Sequence, residues 1–312
     1  MSSHAEIKVI AFPGAPNLPT FAALENGYFN EEGITVSLST TPSSVSQIEK
    51  FHSGEFDVAF TAFDNVVAYQ EGMGAVKLNG APDFRVIMGA TQVELSAVVA
   101  PNIKSAEDLR GKSLALDAVG TGFAFVLYAM LEELGLSIQD YERIPVGATP
   151  ERWKSVKDGL HAGTITIEPF TSIATAAGFR VLRKSTDTFP AYQGGIVAAR
   201  ASWAAKNADL VKALIRGYLK GLAWTLAPEN RTKAAALLQA KMPEIKPGVV
   251  DAVLTSLLSP RSGLTPRADI LRDGMQTVLD LRSRYGGSGK QLRDVDKYLD
   301  LSFYKGATSS LA

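Results

Sequence analysis

The chain of 312 residues has no cysteine, which removes disulfides, thiolate metal sites and any cysteine nucleophile together. Histidine is nearly as scarce: His4, His52 and His161 are the three copies, too scattered to suggest a metal cluster. Neither charge sign prevails. Lys and Arg total 32 against 32 Asp and Glu, with no long basic run, so the electrostatic footprint of a phosphate-backbone binder is missing and no nucleic-acid partner is expected. No stretch approaches the roughly 18 uninterrupted apolar residues that a membrane span requires. The start, Met1-Ser2-Ser3-His4-Ala5-Glu6, runs straight into an apolar strand pattern with no basic n-region, apolar h-region or small-residue cleavage site. The expectation is either a cytosolic chain or one whose export signal has been trimmed.

What remains is ordinary for a soluble protein: 46% hydrophobic and 21% charged residues, in a length that suits two compact units of about 100–200 residues each. The first part alternates short apolar runs with helical patterns, which predicts βαβ units and a parallel sheet. Strands are expected at Ile7–Phe12, Ile34–Leu38 and Phe56–Phe60. Helices are expected around Phe21–Glu25, stopped by Gly27, through Phe51, stopped by Gly54, and at Asn65–Glu71. The run Arg85–Val99 is too long for one sheet position and reads as a crossover into a second lobe. That lobe is expected to contain strands at Ser113–Leu116, Tyr141–Val146, Thr164–Ile167 and Arg180–Leu182, with a helix opened by Gly120-Thr121-Gly122 and stopped by Gly135. Gly194–Ala199 reads as the return crossover.

Beyond Ser202 strands give way to helices. Leu210, Leu214, Tyr218, Leu222 and Leu226 recur every four residues with Val211, Ile215 and Leu219 beside them, an apolar stripe that must be buried. Further helical patterns cover about 231–241, 248–258, 266–285 and 295–301. The expected architecture is α/β: two doubly wound lobes joined by two crossovers, with 1–94 and 196–312 forming a discontinuous first lobe, 95–195 forming the second, and the helical C-terminal third packed on the first. A ligand is then expected in the cleft between them.

In open parallel sheets ligands bind beyond the carboxyl ends of the strands, where helix N-termini point. The rule selects Phe12–Leu18, Thr40–Ser46, Thr61–Asn65 and Val119–Phe123. Candidate contacts in the first segment are Phe12, Pro13 and Asn17, and in the second the hydroxyls of Ser43 and Ser44, which serve equally as helix caps. In the third they are Thr61, Phe63, Asp64 and Asn65, with Asp64 a candidate N-cap as well as a candidate ligand contact. In the fourth, Gly120, Thr121, Gly122 and Phe123 offer backbone N–H groups and a hydroxyl to an acceptor-rich group; a plain glycine turn is the alternative. Phe12, Phe63, Phe123 and Tyr192 are candidates for an aromatic clamp, or else core. Glu94 and Glu168 stand in apolar surroundings, where each would pair with a ligand amine or an arginine, or be solvated at a strand end. His161 is the histidine placed nearest the expected cleft, but no Asp or Ser spacing around it suggests a triad.

Three segments resemble a known family. Leu24-Glu25-Asn26-Gly27-Tyr28-Phe29-Asn30-Glu31-Glu32-Gly33-Ile34-Thr35-Val36 is similar to its "A-x-E-x-G-Y-F-x-x-E-G-L-x-V" signature, Ser53-Gly54-Glu55-Phe56-Asp57-Val58-Ala59 to its "S-G-E-x-D-V-A", and Asp108-Leu109-Arg110-Gly111-Lys112 to its "D-L-K-G-K". The family is that of the periplasmic binding proteins for sulfonate, taurine, nitrate and thiamine-pyrimidine uptake, the NMT1/THI5-like and SsuA-like group. The sequence departs from its "G-x-x-D-A" step, reading Gly159-Leu160-His161-Ala162-Gly163. The resemblance implies a type II periplasmic-binding-protein fold, and a monomer that captures a small organic ligand (a sulfonate, an aromatic or other organic acid, or a pyrimidine precursor) without any cofactor or metal and delivers it to the permease of an ABC transporter. It also implies periplasmic residence. The alternative is a cysteine-independent enzyme of the same fold in the cytoplasm, such as an aromatic-acid decarboxylase with His161 as its nearest candidate acid. A ligand-sensing module is the third reading.

Overall fold

Ile7, Val9, Ile10 and Ala11 are all buried, on both faces of the strand they form, so this strand takes the centre of a sheet covered by helices on both sides. The computed structural model describes residues 4–309; Met1–Ser3 of the N-terminal reading and residues 310–312 of the expected first lobe lie outside the described residues. In chain order the strands are β1 (Ala5–Ala11), β2 (Ile34–Thr40), β3 (Val58–Ala62), β4 (Phe84–Thr91), β5 (Ser96–Val99), β6 (Ser113–Leu116), β7 (Glu142–Pro145), β8 (Gly163–Thr166), β9 (Arg180–Lys184) and β10 (Gly195–Arg200). They form two five-stranded sheets, ordered β2-β1-β3-β10-β4 and β7-β6-β8-β5-β9. Each sheet is parallel apart from one strand: β10 runs antiparallel to β3 and β4, and β5 runs antiparallel to β8 and β9. Each of these reversed strands is the one the chain enters on arriving from the other sheet. The run 85–99 is thus two strands of different sheets, broken at Gln92–Leu95.

Glycines stop the early helices as their backbone freedom allows. Gly27 (φ 73°) and Gly54 (φ 86°) both take the left-handed conformation, which only glycine adopts at little cost. Ser43 caps the helix Ser44–Ser53, its Oγ accepting from the Ser46 N–H at 3.1 Å.

The C-terminal third returns to the first sheet. On the helix Ala208–Leu226, Val211, Leu214, Ile215, Tyr218 and Leu222 are buried, while Leu210 and Leu226 flank the stripe half-exposed. The helix lies close against the helices Leu18–Glu25 and Tyr28–Glu31 because it presents Gly217 to the Phe29 ring and Gly221 to the Pro19 carbonyl. Two later readings differ from expectation. The pattern over 266–285 is a helix only from Arg272 to Tyr285; before it, Arg267 (φ 59°) and Ala268 (φ 54°) break the turn, and the Ala268 and Asp269 carbonyls come up against Gly89 of β4. The pattern over 295–301 gives only a 3-10 turn at Asp296–Tyr298, with the helix following at Ser302–Thr308. Here Leu299 bridges to Val86 and the Asp300 N–H donates to the Val86 carbonyl at 2.9 Å, so the backbone serves the sheet edge instead of a helix.

A Cβ on Gly221 would sit 2.2 Å from the Pro19 carbonyl oxygen, whereas one on Gly248 would meet nothing within 4 Å. Gly221→Ala is therefore expected to destabilise the fold by about 1–3 kcal/mol through overpacking, and Gly248→Ala to leave it nearly unchanged. Urea midpoints of the two variants check this.

Candidate functional site

The carboxyl ends of the parallel strands in the two sheets face each other across a cavity holding about 830 Å³ of non-protein space, its mouth included. Phe12 follows β1, Ser44 starts the helix after β2, and Thr61, Ala62 and Asn65 stand at the end of β3. From the other side come Asp117 after β6, Thr149 after β7 and Ile167 after β8. Phe12, Phe60, Ala90, Val93, Phe123, Ile167 and Ile196 make most of the wall apolar.

The two sides are closed on one another. The Ala15 N–H donates to the Glu168 carbonyl at 3.0 Å and the Ala148 N–H to the Pro42 carbonyl at 2.8 Å. Asp117 reaches across and accepts the Ser44 N–H at 3.0 Å on one carboxylate oxygen and 3.2 Å on the other, a negative group placed at a helix N-terminus where the backbone dipole favours it. Beside it the Ser44 hydroxyl is buried among the cavity-lining residues without a hydrogen-bond partner among the described residues.

Arg152 backs the cavity and is fully buried without an ion-pair partner at bonding distance. Its Nε donates to Thr164 Oγ1 (3.2 Å), Nη1 to the Gly147 carbonyl (2.7 Å), and Nη2 to Thr149 Oγ1 (2.9 Å) and the Ile165 carbonyl (3.0 Å). Burial pulls its pKa down to about 10, with Asp117 and Glu151 opposing, so it is still a cation at neutral pH. Its role in the protein is to hold the loop Gly147–Thr149 against β8.

Of the residues singled out in the sequence, Phe12, Asn17, Ser44, Thr61, Asn65, Thr121, Gly122 and Phe123 line this cavity. Asn17 donates to the Phe12 carbonyl at 2.8 Å, and Asn65 donates to Thr61 Oγ1 at 2.9 Å. The Thr121 hydroxyl donates to the Ala118 carbonyl (3.0 Å) and is spent on its own loop. Pro13 and Ser43 flank the cavity without lining it. Phe63 and Tyr192 are not part of an aromatic clamp: Phe63 is fully buried, edge-on to Tyr298, and Tyr192 packs against Phe189 in the crossover. Their flanks carry large apolar partners, so burial in the core decides their place.

Asp64 fills neither expected role. The helix Phe63–Gln70 has no side-chain cap, and the Asp64 carboxylate instead takes Arg282, whose Nε lies 2.8 Å from Oδ1 and whose Nη2 bonds Oδ2. Arg282 also donates to the Gly120 carbonyl at 3.0 Å and lies 4.6 Å over the Phe125 ring. Gly120 thus serves the ion pair instead of the cavity. Glu94 and Glu168 stand outside the cavity, along a separate groove. Glu94 pairs with Lys184 at 2.7 Å and Thr186 at 3.1 Å, and Glu168 accepts from the Ser172 hydroxyl at 2.9 Å. Burial, reinforced by Glu94, pushes the Glu168 carboxyl up to about 7 against the Ser172 hydrogen bonds. His161 bonds Ser113 Oγ at 2.9 Å, at the amino ends of β6 and β8 and so at the wrong end of the sheet for the cavity.

Asp117, Thr149, Arg152 and Phe60 were missed. The signal for Thr149 was present: Gly147-Ala148-Thr149-Pro150 follows a strand and opens a helix, the same rule that selected the other four segments.

A family model described as NMT1/THI5 like matches residues 16–231, most of the chain. The chain belongs to the NMT1/THI5-like family. Solved structures share the fold of this NMT1/THI5-like protein over nearly its whole length. The periplasmic nitrate-binding protein NrtA from Synechocystis PCC 6803 superposes with a TM-score of 0.80 at 14% identity, covering 98% of this chain and 89% of that one. A protein from Bordetella bronchiseptica gives 0.79 at 19% identity, covering 98% of each chain. The periplasmic aliphatic sulphonate binding protein SsuA from Escherichia coli gives 0.68 at 19%, covering 97% and 100%. The periplasmic-binding-protein fold implied by the three motifs is thereby established for this family member.

Two predictions test the charges around the cavity. Arg282→Leu strands a buried carboxylate and is expected to cost about 3–5 kcal/mol, most of it recovered in the Asp64→Leu, Arg282→Leu double variant; chemical denaturation of the three proteins checks this. Glu168 holds its proton more tightly folded than unfolded, so its contribution is complete below the unfolded value near 4.5 and is lost as pH rises through about 7. Glu168→Gln is expected to gain on the native protein over that window by on the order of 2–3 kcal/mol, read as the difference between the two stability-versus-pH curves.

Proposed function

We propose that this protein is the solute-binding component of an ABC import system, and that it traps a small organic molecule between two lobes, residues 4–94 with 196–309 and residues 95–195. The observation that carries this reading is the cavity itself: enclosed by hydrogen bonds from both sides, mainly apolar, and furnished with a buried hydroxyl, Ser44 Oγ, that no protein group satisfies. A buried polar atom without a partner costs about 1–3 kcal/mol, and a ligand reaching Ser44 removes that cost. Binding residues in this reading are Phe12, Asn17, Ser44, Thr61, Asn65, Thr121, Gly122 and Phe123, with Asp117 and Thr149 added. The relatives NrtA and SsuA, named for nitrate and sulphonate, support uptake as the role, periplasmic residence and a permease as the partner. The protein acts as a monomer that captures and releases its ligand and catalyses no chemical step.

Closure is the working motion. Both crossovers meet at Val93 and Gly194, where a Cβ on the glycine would lie 2.7 Å from Val93 Cβ. Val93 holds a φ of 64°, a left-handed conformation costly for a β-branched residue, on the order of 1–3 kcal/mol. It is fixed by the Thr91 hydroxyl accepting its N–H at 3.1 Å. Val93 thus marks the hinge, and ligand contacts to both sides supply the difference that favours closure.

Native mass spectrometry of freshly purified protein is expected to show one co-purifying small molecule, which added back at 100 times its dissociation constant stabilises the protein by about 2.7 kcal/mol; turnover of that molecule would instead mark an enzyme. Gly122→Ala tests the contact between the two sides. A Cβ there would lie 2.4 Å from Asp64 Cβ, so the approach of the two sides is obstructed beside the buried ion pair. Affinity is expected to fall at least about tenfold, or 1.4 kcal/mol, and the overpacking to lower stability by about 1–3 kcal/mol; calorimetric titration and chemical denaturation check the two.

A further inference from the structure

We propose that Asp117 is the specificity-determining residue of the cleft and acts as a built-in anion, so that the ligand is an uncharged or cationic molecule that donates N–H or O–H groups, and anions are rejected. The inference rests on the solute-binding reading and sharpens it. Four helices open toward the cavity, at Ser44, Phe63, Gly122 and Thr149, and helix N-termini draw negative groups. In this protein the positive end at Ser44 is already answered. Asp117 takes the Ser44 N–H with both oxygens, and the Asp64 carboxylate lies against Gly122 while paired with Arg282. The one buried cation among the lining residues, Arg152, has four of its five N–H groups donated to Thr164, Gly147, Thr149 and Ile165, and the charge that acts on it most strongly is again Asp117.

An entering anion would thus meet a carboxylate, with a single Arg152 N–H left to receive it. An N–H donor meets the opposite: Asp117 carries four lone-pair sites, of which one backbone N–H is shared between its two oxygens, and the unpaired Ser44 hydroxyl stands beside it. Asp117 is also half-exposed to the cavity, whereas Asp64 is sealed at 1% exposure. Because the same carboxylate bridges the two sides of the cleft, a donor bound to it adds a contact at the point where the sides meet, and an anion there is repelled.

The test uses three probes with one ring and different charge: benzamidine, benzoate and benzenesulfonate, titrated against the native protein, Asp117→Asn and Asp117→Ser by calorimetry, with folding of each variant checked by circular dichroism. The native protein is expected to bind benzamidine at least tenfold more tightly than either anion. Both variants are expected to shift that ratio toward the anions by tenfold or more, since removal of the charge frees the helix N-terminus at Ser44. Anions binding the native protein as tightly as benzamidine, or a ratio unmoved in the variants, overturns the proposal while leaving solute binding intact. Binding of no probe to any of the three proteins counts against the solute-binding reading and removes the proposal with it. If a variant fails to fold, the ratio in the native protein decides alone.

Discussion

Arg282 is a guanidinium with 1% exposure, and the cleft is organised by the way its charge is satisfied. Removing such a charge from water costs several kcal/mol unless carboxylate and hydrogen-bond partners replace the solvent. Here Asp64 supplies the carboxylate from the first sheet's side, the Gly120 carbonyl accepts from the second side, and the Phe125 ring offers its face. Three helices from distant parts of the chain, Phe63–Gln70, Gly122–Glu133 and Arg272–Tyr285, are fixed at that point. The close approach of Gly122 to Asp64 follows from it, and so does the position of the loop that carries Thr121 and Phe123 into the cavity.

The two margins of the cleft are held by different physics. Along the helix Arg272–Tyr285 a continuous apolar cluster runs from Val66 and Val67 through Met275, Val278 and Leu279 to Phe125 and Tyr128, and Gly274 lets this helix sit directly on the Tyr192–Gln193 backbone of the crossover. At the Ala15–Glu168, Pro42–Ala148 and Ser44–Asp117 contacts the cleft is closed by polar bonds. The first two exchange for water at a net cost of about 0.5–1.5 kcal/mol and the third, to a carboxylate, at about 1.5–3 kcal/mol, so that in the proposed closure this margin opens while the apolar side and Val93 act as the pivot.

Much of this was legible in the residues. Period-two and helical patterns located seven of the ten strands among the described residues with no help from tertiary structure, because strands with buried centres such as β1 and β3 are short apolar runs; β4, β5 and β10 lie in the two runs read as crossovers. The long run 85–99 had to break, and it broke at the crossover. The rule that ligands gather at strand carboxyl ends selected Phe12, Ser44, Thr61 and Thr121, which the fold brings to one cavity, because it depends only on chain order. It failed where side chains compete. Asp64 reads as a cap until Arg282, 218 positions later, is brought beside it; Phe63 and Tyr192 read as a clamp until their own neighbours bury them. Asp117 directly follows the strand Ser113–Leu116, and nothing local shows that it will reach the N-terminus of a helix 73 positions earlier. The C-terminal breaks at Arg267 and Leu299 are likewise set by the edge of β4 and not by the helical pattern.

The central claim is that ligand binding closes two lobes over this cavity. A chain without cysteine allows two to be introduced cleanly, at the exposed positions Glu49 and Lys154, on the helices that begin at Ser44 and Thr149 on opposite sides of the mouth. Spin labels there report the separation directly by pulsed dipolar spectroscopy. The account predicts a broad distribution reaching to longer distances without ligand, collapsing to a single short and narrow distance when the co-purifying molecule is restored. The same distribution with and without saturating ligand would contradict it.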